Sequence, residues 1–159
     1  MKRAFLFGLA VLIGACTQAK SLNGTVEGVY RVDGKDAKIA FARSSKGEPF
    51  SNHPTIEVEL TEKDSSAATG SPMFWHDKYG AAVVVTLMKN DDGSYDVIGS
   101  TFLHPALKDG GSNGTGIVNL KDAKEANGVL AGELFTKPDM NLFGQKLDID
   151  LKFKVPTPG

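Results

Sequence analysis

One cysteine in 159 residues leaves no disulfide possible within the chain, so packing must hold the fold together. Nor is there an excess of basic charge. The 18 Lys and Arg stand against 19 Asp and Glu, for a net charge of -1, and no basic field marks a nucleic-acid binder. The chain lacks an apolar run of the roughly 20 residues that a membrane-spanning helix takes. It also lacks internal repeats and low-complexity blocks, and it carries a single tryptophan. What remains, 41% hydrophobic and 23% charged residues, is the composition of one ordinary globular domain.

Function is most legible at the N-terminus. Met1-Lys2-Arg3 precedes an uncharged apolar run from Ala4 to Ala15. A basic start, a short apolar run and small residues at its end read as a secretory signal peptide, and the run shows no polar face that would make it a buried amphipathic helix. The only cysteine, Cys16, stands at the processing position. The stretch Leu12-Ile13-Gly14-Ala15-Cys16 resembles the lipobox of bacterial lipoproteins, with Ile13 where Leu is commonest and Gly14-Ala15 where Ala-Gly or Ser-Gly is commoner. The resemblance covers sixteen residues. It implies that the Cys16 thiol is diacylglycerylated, that residues 1–15 are removed, and that Cys16 becomes an acylated N-terminus. Two or three palmitate-length chains hold a protein stably where one binds only reversibly, at about 0.8 kcal/mol per buried methylene. Thr17, a residue other than Asp after the cysteine, implies transfer to the outer membrane, facing the periplasm. The anchor consumes the thiol, which excludes thiol-based catalysis. Processing removes Lys2 and Arg3 and no acid, leaving a net charge of -3, and about two-thirds of the surface of such a mature chain is buried on folding.

Residues 16–24 are small, polar and aperiodic, and read as a lipidated tether. Residues 25–155 form one antiparallel β domain, and 156–159 a tail. Thr55–Glu62 alternates with Ile56, Val58 and Leu60 on one face and acids on the other. Lys146–Val155 alternates over ten residues, with Leu147, Ile149, Leu151, Phe153 and Val155 on its apolar face. Ala81–Met88 is a continuous apolar run, expected of a central strand covered on both sides. Asp33-Gly34 joins Val26–Val32 to a strand over Ala37–Arg43. Asn90–Gly93 leads into Tyr95–Phe102, and Asn127-Gly128 joins Gly116–Leu120 to Val129–Thr136. These eight strands predict an all-β domain. A two-sheet sandwich is favoured over a closed up-and-down barrel, because the loops Lys63–Gly80 and Leu103–Gly114 are long for a barrel.

The chain carries little that points to catalysis. His53, His76 and His104, with Asp77, are the candidate metal ligands, but their spacing matches no metal motif and they read as loop histidines. No metal or cofactor is expected. Met73, Met88 and Met140 are scattered and read as gap fillers. Gly99–Phe102 is no nucleophile elbow. The glycine cluster 110–116 does not end in Gly-Lys-Ser/Thr before a helix, so it reads as a flexible loop feeding a strand rather than a phosphate cradle. Asn90–Ser94 lacks the ligand spacing of a calcium loop.

One segment differs in kind. Pro72–Gly80 gathers the only Trp with a Phe, a Tyr and a Met, residue types enriched where partners bind. Phe74, Trp75, His76 and Tyr79 are therefore the candidate partner-binding residues, and plugging one end of the core is the alternative role for them. Phe50 and Phe143 are candidates for the same patch. These features favour a non-enzymatic envelope lipoprotein that binds a protein partner, as an accessory factor or an inhibitor. A lipid or small-ligand carrier with a barrel cavity is the second reading, and a periplasmic hydrolase the third.

Overall fold

A computed structural model describes residues 24–70 and 72–159, and of Phe74, His76 and Asp77 the backbone only. The expected signal peptide, Cys16 and residues 17–23 of the tether lie outside the described residues. The protein is an all-β sandwich of two antiparallel sheets, neither closed into a barrel. Among the described residues, eleven strands build it: β1 (Thr25–Val32), β2 (Lys35–Ala37), β3 (Phe41–Lys46), β4 (Thr55–Thr61), β5 (Ala82–Lys89), β6 (Tyr95–Leu103), β7 (Gly111–Gly114), β8 (Asn119–Ala126), β9 (Val129–Phe135), β10 (Asn141–Leu142) and β11 (Gln145–Pro156). One sheet has the order β2-β1-β11-β9-β8, with β10 paired to β11; the other has β3-β4-β5-β6-β7.

The alternating runs land as their period requires. Leu147, Ile149, Leu151, Phe153 and Val155 of β11 all face inward, as do Ile56, Val58 and Leu60 of β4. They meet Val83, Val85 and Leu87 of β5, Phe102 of β6, and Leu130 and Leu134 of β9 in one core. Each such side chain taken from water contributes about 1.5–3 kcal/mol. The sheets are also stitched by polar bonds. The Tyr30 hydroxyl donates to the Leu103 carbonyl at 3.2 Å. Across the sandwich, Glu125 of β8 accepts from Lys89 at 2.7 Å and from the Tyr95 hydroxyl at 2.6 Å.

Three expectations are corrected. The strand expected over Ala37–Arg43 is two strands in different sheets. β2 pairs with β1 for three residues, and β3 pairs with β4. Lys38–Ala40 carries the chain between the sheets, with Ile39 packed on the core, so a crossing hides inside an apparently continuous run. The expected strand Gly116–Leu120 begins instead at Asn119 and runs to Ala126. An irregularity between Lys121 and Lys124, with Asp122 at φ +55°, breaks the alternation there. The supposed flexible glycine loop contains β7, which pairs with the end of β6 at the sheet edge. Backbone pairing at an edge needs no hydrophobic pattern, so the sequence carries no sign of it.

Candidate functional site

Two loop assemblies stand out from the sheets. The first is the 62–81 connection between β4 and β5, which folds back over the outer face of its own sheet. Glu62 fixes both ends of it: its backbone N–H donates to the Ala81 carbonyl at 2.9 Å, and its carboxylate accepts from the Ala81 N–H at 3.0 Å. Gly80, at φ +72°, lies over that carboxylate, where a Cβ would collide with it. The segment carries two short helical turns, Pro72–Phe74 and His76–Tyr79. Trp75 and Tyr79 pack edge to face, with ring centres 5.6 Å apart, against Ala82, Val84 and Leu103. These are the outward-facing positions of β5 and β6, so the second face of β5 is covered by this connection.

Beneath the tryptophan is an ion pair of a buried carboxylate with a half-buried guanidinium. Arg43 sits 5.7 Å from the Trp75 ring centre, and its guanidinium donates to the Glu59 carboxylate. Glu59 is only 2% exposed. Burial raises its carboxyl pKa, against the opposing pull of Arg43. A second Arg43 N–H reaches the Ser66 carbonyl at 3.3 Å. The insert is therefore held by one stacked cation as well as by apolar burial.

The second assembly closes one end of the sandwich. It comprises the Asp33-Gly34 turn, the 104–110 loop and the Phe143-Gly144 turn, and Gln145 is its hub. The Gln145 side-chain N–H groups donate to the Ala106 carbonyl at 2.5 Å and to Asp33 at 2.9 Å, while its oxygen accepts from the Lys108 N–H at 2.6 Å. Asp33 also accepts from the Lys146 N–H at 2.8 Å. Hydrogen bonds from Gln145 and Lys146 hold its carboxyl below the ordinary carboxylate range. His104 starts the middle loop and is 3% exposed. Its Nδ1 accepts from the Ala106 N–H at 3.0 Å, and its ring meets Tyr30 edge-on at 5.0 Å. Nε2 therefore carries the proton of the neutral ring. It turns toward the Lys35 carbonyl without closing a full hydrogen bond, and burial pushes the histidine pKa down. Beside it lies an open depression of about 370 Å³ lined by Lys35, Asp36, Lys38, Glu62, His104 and Ala106.

The expected site residues are only partly brought together. Trp75, 5% exposed, and Tyr79 are buried side by side on the outer face of β5; the side chains of Phe74 and His76 lie outside what is described. Phe50 and Phe143 do not join them. Phe50 belongs to the turn between β3 and β4, at the end where His53 approaches Asp91 of the β5–β6 turn at 3.7 Å. Phe143 belongs to the opposite end, with Gln145. His53 and His104 are likewise at opposite ends. Among the described residues, no group of three His, Cys, Asp or Glu side chains is placed to hold a metal ion. Sequence reading missed the Gln145 hub, whose partners converge only in space. The Phe143-Gly144 pair, between the two-residue β10 and the long β11, is the one local sign of it.

Compared with known proteins, the chain matches no family model, no curated sequence and no solved structure.

Proposed function

We propose that the protein is a lipoprotein of the bacterial envelope, anchored through acyl chains on Cys16, whose β-sandwich binds a protein partner without catalysing a reaction. The lipobox-like stretch supports the anchor. The observation that carries the choice of a protein partner over a carried lipid is the filling of the core. Tyr30, Val32, Val58, Leu60, Phe102, Leu130, Leu134 and Ile149 are essentially inaccessible and pack on one another between the sheets. A carrier of drug-sized or larger apolar ligands needs a mostly apolar cavity of some 300–1,000 Å³. A depression of about 550 Å³ on the six-stranded sheet instead opens on the surface, and it mixes Glu27, Asp122, Glu133, Lys152 and Lys154 with Val26, Ala131 and Phe153. The short tether, nine residues from Cys16 to Gly24, spans eight Cα–Cα steps and reaches at most about 28 Å. It keeps the sandwich at the membrane surface, within range of other envelope proteins.

The test is a direct comparison of two ligand classes on the soluble chain from Ser21. The expected outcome is a saturable complex with an envelope protein and no stoichiometric uptake of a fluorescent fatty acid. One fatty acid bound per chain, displaced by unlabelled lipid, would replace this reading with the carrier.

A further inference from the structure

We propose that His104 is a pH-operated latch on the 104–110 loop. Neutral, its ring closes the loop over the core; protonated, the ring turns out into the depression beside it and the loop opens. The latch needs neither the acyl anchor nor a bound partner.

The loop is closed by its own backbone and by the ring. The Leu107 N–H donates to the His104 carbonyl at 2.9 Å, the Gly110 N–H to the Leu107 carbonyl at 2.9 Å, and the His104 N–H to the Gly110 carbonyl at 3.1 Å. Inside this closure the Ala106 N–H donates to Nδ1 of His104 at 3.0 Å. The proton of the neutral ring is therefore on Nε2, which faces the Lys35 carbonyl. A second proton can enter only at Nδ1, on the lone pair that Ala106 already uses. Protonation then sets one N–H against another, and the contact that holds Ala106 turns repulsive. The cation finds no water in place, since the side chain is buried and Nε2 is inaccessible.

Burial is the main opposition to charge on the ring; the fixed charges around it are mixed. Tyr30 of β1 meets the ring edge-on and stays un-ionised, because burial pushes its hydroxyl pKa up. From β2, Lys35 disfavours a cation and Asp36 favours one; from the 62–81 connection, Glu62 favours one. Asp36 stays ionised in mild acid, because the Arg31 guanidinium bonded to it holds its carboxyl below the ordinary range. Lys38, from the crossing between the sheets, lines the same depression of about 370 Å³ as Lys35, Asp36, Glu62 and His104. Lys108 and Asp109 of the loop itself point into solvent. A ring turned into the depression exchanges burial for water and the neighbourhood of two carboxylates. Neutral inside and charged outside are the two arrangements of a switch.

Opening reaches beyond the histidine. Ala106 is held on both sides, by His104 through its N–H and by Gln145 through its carbonyl. Gln145 of β11 also accepts from the Lys108 N–H and donates to Asp33. Gln145 carries no charge, and Asp33 is held below the ordinary carboxylate range by its hydrogen bonds. Of these residues, His104 is the one that gains a proton in mild acid. Leu107, buried and part of the core, is the side chain that an open loop uncovers.

Amide hydrogen exchange of the full-length chain in detergent, read residue by residue by NMR from about pH 7.5 to 4.5 and corrected for intrinsic rates, tests the latch. The expected result is constant protection down to about pH 6.5, the ordinary histidine value. Below it, protection at Ala106, Leu107 and Gly110 falls, approaching about ten-fold per pH unit, while Ile149 and Leu151 of β11 keep theirs. His104→Asn is the control. Its side-chain oxygen accepts from the Ala106 N–H two residues on, as in an Asx turn, and does not titrate, so the loop stays protected throughout. In the parent, the His104 ring signals and the Ala106 amide shift should titrate with one midpoint, a readout that does not depend on the variant folding. Loop protection that persists to the acid limit, a loss shared equally by β11, or pH dependence retained in folded His104→Asn would each overturn the latch. So would an Ala106 amide that does not follow the ring.

Discussion

Replacing Trp75 with alanine measures what the insert contributes. The side chain is nearly inaccessible, and it contacts Tyr79, Ala82, Val84 and Leu103 on the outer face of the sheet. Its indole N–H donates to the Thr69 carbonyl at 3.4 Å, and Arg43 stacks on its ring. Truncating a buried tryptophan costs about 3–5 kcal/mol when the surroundings cannot collapse. Collapse is restricted here, because Ala82 and Val84 project from the middle strand of the sheet and cannot move toward the gap. For a domain of this size 1 kcal/mol shifts the midpoint by about 3–5 °C, so Trp75→Ala should lower it by more than 10 °C. Calorimetry, with near-ultraviolet circular dichroism to follow the remaining aromatics, reads the change without any knowledge of a partner. A fall of less than about 3 °C would refute the packing role. It would show that the insert opens locally at little cost, and would return Trp75 to the candidate contact residues.

Three further outcomes are expected. Arg43→Met leaves the Glu59 carboxylate buried without its cation, at a cost of about 3 kcal/mol at pH 7. Because burial raises the Glu59 pKa in the fold, that loss shrinks as the pH falls and the carboxyl takes up a proton; a loss equal at pH 7 and pH 5 in urea titrations would contradict the pairing. His104 has its pKa lowered in the fold, so the unfolded chain binds the proton more tightly. The stability tied to a neutral His104 is complete above about pH 6.5 and is lost as the pH falls below it, by up to about 1.4 kcal/mol per pH unit. The difference in stability between His104→Gln and the parent should shrink over that window, and a constant difference would mean that the ring is freely protonated. Finally, the chain from Ser21 should fold as a soluble monomer without reductant, since it has no cysteine; a disordered spectrum would contradict a self-sufficient core.

Legibility in the sequence followed a physical rule. Wherever one face of a strand is buried and the other wet, as in β4 and β11, period two specified both the strand and its inward residues. The unbroken run of β5 likewise implied cover on both sides, and the cover proved to be the chain's own 62–81 connection. Legibility failed where structure depends on partners far away in the chain. Nothing local separates β2 from β3, because the break at Lys38–Ala40 is a change of sheet. Glu59 reads as a solvated acid opposite Ile56 and Leu60, yet the insert buries it on Arg43. The aromatic cluster was visible as composition, and only the fold placed Trp75 and Tyr79 against β5. Gln145 was silent, since Asp33, Ala106 and Lys108 are distant in sequence.

The most direct measurement is the covalent state of Cys16. Cells labelled with a clickable fatty-acid analogue and expressing the parent chain or Cys16→Ala should yield an acylated protein for the parent alone. The intact mass of that product should begin at residue 16 with two or three acyl chains, and the alanine variant should accumulate as unlabelled precursor. Label retained on Cys16→Ala, or a parent chain recovered from the envelope with a free Cys16 thiol, would contradict the anchored lipoprotein.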